Sequence, residues 1–246
     1  MTTPLPGGKD AGPRCMKPRA DFSKPGSPYR GKPLWGWNGA LDEAELQRQL
    51  SVFREMGMGG VCIHGRTGLR TDYLGEEWLK LVRRMAELAA ESGMEIWLAD
   101  EERWPSGSAG GLVTQDPALR QRCLVLKVHN PEDYKANTPD QMLFLANLGG
   151  GVAANVRVLR DDVTISHADT ILVFQVQTVE GSAWYNGQTY VDTLSPAGGQ
   201  RFIEVTHERY QQSLLKDFPA SVVPGFCLDE PHYGLTRHHQ DGATLP

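Results

Sequence analysis

The chain has 246 residues, 40% hydrophobic and 22% charged, the make-up of an ordinary soluble globular protein with room for one sizeable core. Its formal net charge of −5 leaves no basic stripe to neutralise phosphates, which argues against nucleic acid as a partner. No apolar run approaches the roughly 18 residues of a membrane span, so no membrane partner is expected.

Residues 1–29 are rich in Pro, Gly, Lys and Arg and carry no apolar core of a secretory signal. They read as a flexible lead-in that lies over the fold from about Phe22. The cysteines, Cys15, Cys62, Cys123 and Cys227, form no CxxC pair, and two of them sit inside apolar runs. Reduced thiols of a cytoplasmic protein fit this usage better than disulfides or zinc.

The first apolar run is Pro33 to Asn38, read as a strand. Its Trp35 and Trp37 are expected to point to opposite sides, one packing under helices and Trp37 lining the mouth of a site. Asp42 then opens a helix, with Glu45 as capping-box partner and Leu46, Leu50, Phe53 and Met56 at helical spacing until Gly57. The second strand, Gly59 to Ile63, ends in His64-Gly65-Arg66. A helix from about Glu76 to Ser92 follows, with an apolar stripe from Trp78 to Ala89 and Gly93 as its stop. The third strand, Met94 to Ala99, ends in Asp100-Glu101-Glu102.

Residues 124–194 are rich in β-type runs (142–145, 154–159 and 171–176), and Asn186-Gly187 is a hairpin signal. They read as an inserted antiparallel lobe. A helix from about Pro196 to Phe218 and a fourth strand, Val222 to Leu228, complete the pattern, and Asp229-Glu230-Pro231 follows. Strand and helix alternate, so the fold class is α/β with parallel strands, open to a doubly wound sheet or a barrel. The assigned organisation is four strands of a TIM-type (β/α) barrel over residues 30–123 and 195–246, with the lobe inserted at 124–194.

In such folds the C-terminal strand ends carry the site. Asn38, His64, Arg66, Asp100, Glu101, Asp229 and Glu230 would converge on one rim. Glu230 is the foremost catalytic candidate, because glycosidic cleavage needs one carboxylic acid to protonate the leaving oxygen and a second carboxyl across the sugar. A neighbour such as Asp229 would raise its pKa; the plain alternative is a carboxylate capping a helix. Asp100, Glu101 and Glu102 can hold hydroxyls, bind a metal or act as a base, or form a solvated acidic turn; Trp104 can stack on a sugar or sit in the core. His64 and Arg66 read equally as hydroxyl ligands or as a structural pair. Ser106 to Gly111 lacks the Lys-Ser/Thr ending of a phosphate loop and reads as flexible backbone beside a pocket. His207, His238 and His239 read as surface residues.

Arg30 to Gly39, with its strand ending Trp37-Asn38, resembles the opening of the catalytic barrel in glycoside hydrolase family 106, known for α-L-rhamnosidases, and its relatives. Leu41 to Leu46, Gly59 to Leu69, Tyr73 to Trp78, Asp100 to Gly107 and Asp229 to Pro231 match that family's motifs in order. The resemblance implies hydrolysis of a terminal deoxyhexose, with Glu230 as general acid and Trp37, Asn38, His64, Arg66, Asp100, Glu101, Trp104 and Asp229 contacting a carbohydrate. It requires no cofactor, though calcium accompanies some relatives. Ala99 departs from the pattern, standing where an aromatic residue is common. The partner carboxylate would come from a later strand. The chain is therefore expected to be a fragment, inactive without the C-terminal half of the barrel. Two other readings stand beside this one: a non-catalytic carbohydrate-binding remnant, and a metal-dependent barrel lyase or hydrolase using Asp100, Glu101 and Glu230 as ligands.

Overall fold

The computed structural model describes residues 22–135, 141–185, 187–233 and 243–245. The lead-in up to residue 21, with Cys15, and Asn186, His238 and His239 lie outside the described residues.

Strand β1 (Leu34–Gly39), helix α1 (Glu43–Glu55), β2 (Gly60–Leu69), α2 (Glu76–Ser92) and β3 (Glu95–Glu102) follow in chain order. The lobe contributes β4 (Arg122–His129), β5 (Gln141–Gly149), β6 (Val152–Val158) and β7 (Thr170–Thr178). Helix α3 (Pro196–Ile203) runs through a π-helical turn, Glu204–Glu208, into α4 (Arg209–Ser213), and β8 (Phe226–Cys227) and β9 (Ala243–Leu245) come last. The fold is α/β. A parallel sheet in the order β1-β2-β3-β8 stands beside an antiparallel sheet in the order β6-β5-β7-β4-β9.

Local chemistry explains the helices. Asp42 accepts the Glu45 N–H at 2.9 Å and caps α1, while the Glu45 carboxylate pairs with Arg48 rather than reaching back. Gly93 adopts φ 67° and stops α2, a conformation that costs glycine little. The long third helix is broken into shorter pieces. It widens at Glu204–Glu208 and ends at Leu214, where φ and ψ leave the helical region. The fourth strand is two residues long, although Ile96 N–H to Val222 O and Leu98 N–H to Gly225 O extend its grip on β3.

The core lies between the parallel sheet and the helices. Val61 and Ile63 of β2, Ile96 and Leu98 of β3, and Leu81, Val82 and Met85 of α2 are buried there. Trp35 and Trp37 both enter it, which corrects the expectation of opposite sides: residues two apart on a strand share a face. Trp37 is 1% exposed and meets Trp78 edge-on at 5.0 Å, so it does not line a mouth. Trp78 also donates to the Tyr210 hydroxyl at 2.8 Å, tying α2 to α4.

In the lobe, Leu145, Ile171 and Val173 pack under Tyr134, Leu159 and Val163 on one face. The other face pairs Leu124 with Val176, Leu126 and Met142 with Phe174, and Phe144 with both Leu172 and Val158. The strands expected to flank a hairpin at Asn186-Gly187 do not form, although Gln188 N–H closes a turn onto Tyr185 O at 2.9 Å; Ala183–Tyr185 is a 3-10 turn, and Val191 makes an isolated bridge to Arg120. Tyr190 and Val191 pack with Ala109, Val113 and Phe202 in a second core.

Trp78 joins three elements, so Trp78→Ala is expected to destabilise the chain by about 3–5 kcal/mol. Urea unfolding followed by circular dichroism measures this; a loss below about 1 kcal/mol contradicts the packing described.

Candidate functional site

Parallel strands bring their C-terminal ends to one edge of the sheet. Asn38, His64, Arg66 and Asp100 to Glu102 fall there, and Asp229 and Glu230 follow β8 at the same edge. The charges of Asp229 and Asp100 both act on His64, so the ends of β2, β3 and β8 share one neighbourhood.

Ser106 holds that neighbourhood together. Its N–H donates to Asp229 O and its Oγ accepts from Asp229 N–H, both at 2.9 Å. Its hydroxyl donates to Asp100 Oδ1 at 2.7 Å, and its carbonyl accepts from the Tyr190 hydroxyl at 2.6 Å. Every polar group of this buried residue is thus used, and the segment after β8 is fastened to the loop after β3.

The acidic run divides its work. Asp100 is 0% exposed and turns toward the helices, its Oδ2 3.2 Å from His207 Nε2. His207 Nδ1 lies 2.9 Å from Thr206 Oγ1, and Asp100 Oδ2, though close to His207, has no hydrogen-bond partner among the described residues. Glu101 is gripped by backbone. Oε2 accepts from the N–H groups of Gly107, Ser108 and Ala109 at 3.0, 2.8 and 2.8 Å, and Oε1 accepts from Gly110 and Glu102. Burial pushes this carboxyl up to about 7 against the pull of those donors. Five donors and no acceptor give a carboxyl proton nowhere to go, so the anion is the form the loop holds. Glu102, half-buried, lies 4.0 Å from Arg103 Nε.

His64 is 2% exposed and donates its Nε2–H to the Arg103 carbonyl. Burial holds it below the ordinary imidazole value, and the Arg66 charge adds to that, against the Arg103 carbonyl and the two aspartates. The ring is therefore neutral at pH 7, and Nδ1 is an acceptor with no hydrogen-bond partner among the described residues. The Arg66 side chain lies over Gly36 of β1, where an added Cβ would meet it at 3.0 Å. Asn38, Asp229 and Glu230 are exposed.

Trp104 is half-buried, its ring 5.8 Å from His232, which stacks on Tyr190 at 4.6 Å. Arg103, Ala109 and Glu230 have φ of 75°, 51° and 43°, left-handed backbone that costs a non-glycine residue about 1–2 kcal/mol. Strain of this kind concentrates where a fold must present particular groups. Beside Ser106, an apolar groove of about 600 Å³ runs between Val191, Phe202, His207, Leu228 and Pro231.

His207 is thus no surface residue. It stands three residues before Tyr210 and seven before Leu214, on the inward stripe of the same helix, and that spacing was the available signal. Ser106 carried no such signal, because Asp229 and Tyr190 are distant in sequence and Asp100, six residues away, follows no regular spacing.

Among the described residues, no group of three or more His, Cys, Asp or Glu is arranged to hold a metal ion. Asp100 Oδ1 is held by Ser106, and both Glu101 oxygens are held by backbone N–H groups. Cys62, Cys123 and Cys227 are free thiols. No helix among the described residues is long and apolar enough to cross a membrane.

No family model matches the sequence. No curated protein matches it. Among solved structures, the chain is distantly similar to the rhamnosidase from Novosphingobium sp. PP1Y, with 19% identity and a TM-score of 0.38. The likeness covers 52% of this chain and 15% of that one, so the chain spans a small part of that rhamnosidase's length.

Two outcomes follow. Ser106→Ala strands Asp100 Oδ1 and the Asp229 N–H together and is expected to cost about 2–4 kcal/mol, read by urea unfolding. His64 stays neutral when folded and takes up a proton near pH 6.5 when unfolded. Its contribution is therefore fully present above about pH 6.5 and is lost as pH falls through the lower folded value. His232, lowered in the same direction, adds to the slope. Midpoints measured between pH 7 and pH 5 are expected to fall less steeply in His64→Asn; an unchanged slope contradicts the assignment.

Proposed function

We propose that this chain supplies the sugar-contacting front of a (β/α)-barrel glycoside hydrolase site that takes a terminal deoxyhexose such as L-rhamnose. One observation carries the reading most: the Arg66 cation, the Asn38 amide and the carboxylates of Asp229 and Glu230 emerge at the same end of neighbouring parallel strands, where the neutral His64 ring is buried. Hydroxyl groups donate and accept, and such a set offers both partners. The ordered motifs from Arg30 to Gly39 and from Asp229 to Pro231, which resemble glycoside hydrolase family 106, support the substrate class.

Glu230 is assigned as the acid that protonates the leaving oxygen. Cleavage needs a second carboxyl across the sugar ring, as base or nucleophile. Asp100 and Glu101 are held in other bonds, so the second carboxyl is assigned to chain beyond these four strands. Glu230 is exposed, whereas a glycosidic acid works in a closed, largely apolar setting. This favours sugar binding over turnover for the 246-residue chain.

Calorimetric titration tests the reading. L-rhamnose is expected to bind in the millimolar range, about −4 kcal/mol, and more tightly than D-glucose. Arg66→Ala is expected to weaken binding at least tenfold, while Glu230→Gln changes it little. Equal heats for the two sugars, or none for either, sink the proposal. Release of nitrophenol from a nitrophenyl α-L-rhamnoside by the chain alone, abolished in Glu230→Gln, would move the reading from binding to catalysis.

A further inference from the structure

We propose that Cys62 and Cys227 form a two-coordinate site for a soft monovalent cation of the copper(I) class. Both residues lie on the face of the parallel sheet that is turned away from the helices. Cys62 is level with Trp97 of β3, and Cys227 is level with Ala99. Residues two apart on a strand share a face, so Trp97, Ala99 and the two cysteines stand together, while Val61, Ile63, Ile96 and Leu98 fill the core on the other side. Ala99 comes between the cysteines and offers only a methyl group. Side chains from alternate strands share an interior layer in barrels, and β2 and β8 flank β3 in that relation. The two thiols meet across it: the Cys62 S–H donates to the Cys227 sulfur. Cys62 is buried and Cys227 half-buried, so the pair is within reach of solvent on one side.

Spacing and ligand count decide the occupant. Two strand spacings of about 4.8 Å set the backbones of β2 and β8 about 9–10 Å apart, beyond the roughly 4.4–6.8 Å that a disulfide spans. An ion held by two metal–sulfur bonds of about 2.3 Å, in place of an S–S bond of about 2.05 Å, lengthens that reach by about 2.5 Å, to about 7–9 Å. An ion between the sulfurs therefore fits with less movement of the strands than a disulfide. Among the described residues, no third His, Cys, Asp or Glu completes a group able to hold a metal. Structural zinc takes four ligands, and iron–sulfur clusters take four cysteines. Of the ions that thiolates select, copper(I) is the one that two sulfurs satisfy. Asp100 and Asp229 act on both sulfurs, so the local field favours a cation over an anionic partner. Loading converts two thiols and one Cu(I) into a bis-thiolate complex of charge −1 and releases two protons, with no change of oxidation state. The site uses none of the residues assigned to the sugar and does not rest on that reading.

Competition for Cu(I) against a chromophoric copper(I) chelator, on the full chain without oxygen, tests the site. The double variant Cys15→Ser, Cys123→Ser, which keeps only the pair, is expected to bind one Cu(I) per chain as tightly as wild type. Cys62→Ser and Cys227→Ser, each with an unchanged circular dichroism spectrum, are expected to weaken binding by more than about 100-fold, beyond what loss of a mere neighbour of a ligand brings. Cys62→Ala and Cys227→Ala, which add no polar group to the sheet, are expected to give the same loss. X-ray absorption of the loaded chain is expected to show two sulfur neighbours around the metal. A wild-type chain that takes no Cu(I) from the chelator overturns the proposal. Binding that survives the loss of either cysteine overturns it, and so does Zn(II) held as tightly as Cu(I).

Discussion

The geometry of the rim depends on one serine. Strand β8 has only two residues of its own, too short to fix the chain that leaves it. Asp229 is held because Ser106 gives it a donor and an acceptor at once, in the manner of one further rung of sheet pairing. The same hydroxyl orients Asp100, and the same backbone carbonyl receives Tyr190. The exit of β3, the exit of β8 and the chain returning from the lobe therefore move as one body. Each of these bonds is worth about 1 kcal/mol net, but leaving its buried partner unsatisfied costs about 1–3 kcal/mol, which makes the junction stiff.

The division of the acidic run follows from strand parity. Asp100 and Glu101 are neighbours in sequence and so face opposite ways. One goes to the helix layer and His207, the other to the loop that closes over it. Two carboxylates thus organise the scaffold and stay away from solvent. Asp229 and Glu230 are left as exposed acids at the rim, with Glu230 in a strained backbone conformation. The structure pays in strain and in buried charge for the placement of a few groups at one edge of the sheet.

Much of the scaffold was legible in the sequence, because its signals are local. Periodicity and caps located α1 and α2 nearly to the residue, and apolar runs located β1, β2 and β3, although β2 and β3 continue through their expected polar endings to Leu69 and Glu102. The rest turned on relations that local patterns do not record. Trp37 lies in the core and not at the mouth, because residues two apart on a strand share one face and Trp35 is already buried there. The fourth strand contracted to Phe226–Cys227 because Pro224 and Gly225 precede it. Asn186-Gly187 suggested a hairpin, but Tyr190 and Val191 are drawn into a core with Ala109 and Phe202 instead. Histidine is usually a surface residue, and the Asp100 that His207 approaches lies over a hundred residues earlier, beyond the reach of any short-range rule.

The widened turn at Glu204–Glu208 has a geometric consequence of its own. An α-helix advances about 100° per residue, so a turn that accommodates one extra residue resets the angular phase of everything after it. His207 lies within that turn and Tyr210 beyond it, and both nonetheless arrive on the Phe226 side, with ring centroids 4.5 and 5.8 Å from it. A homologue lacking one residue here would point one of the two rings elsewhere, so the length of this segment acts as a vernier that sets whether imidazole and phenol can face β8 together.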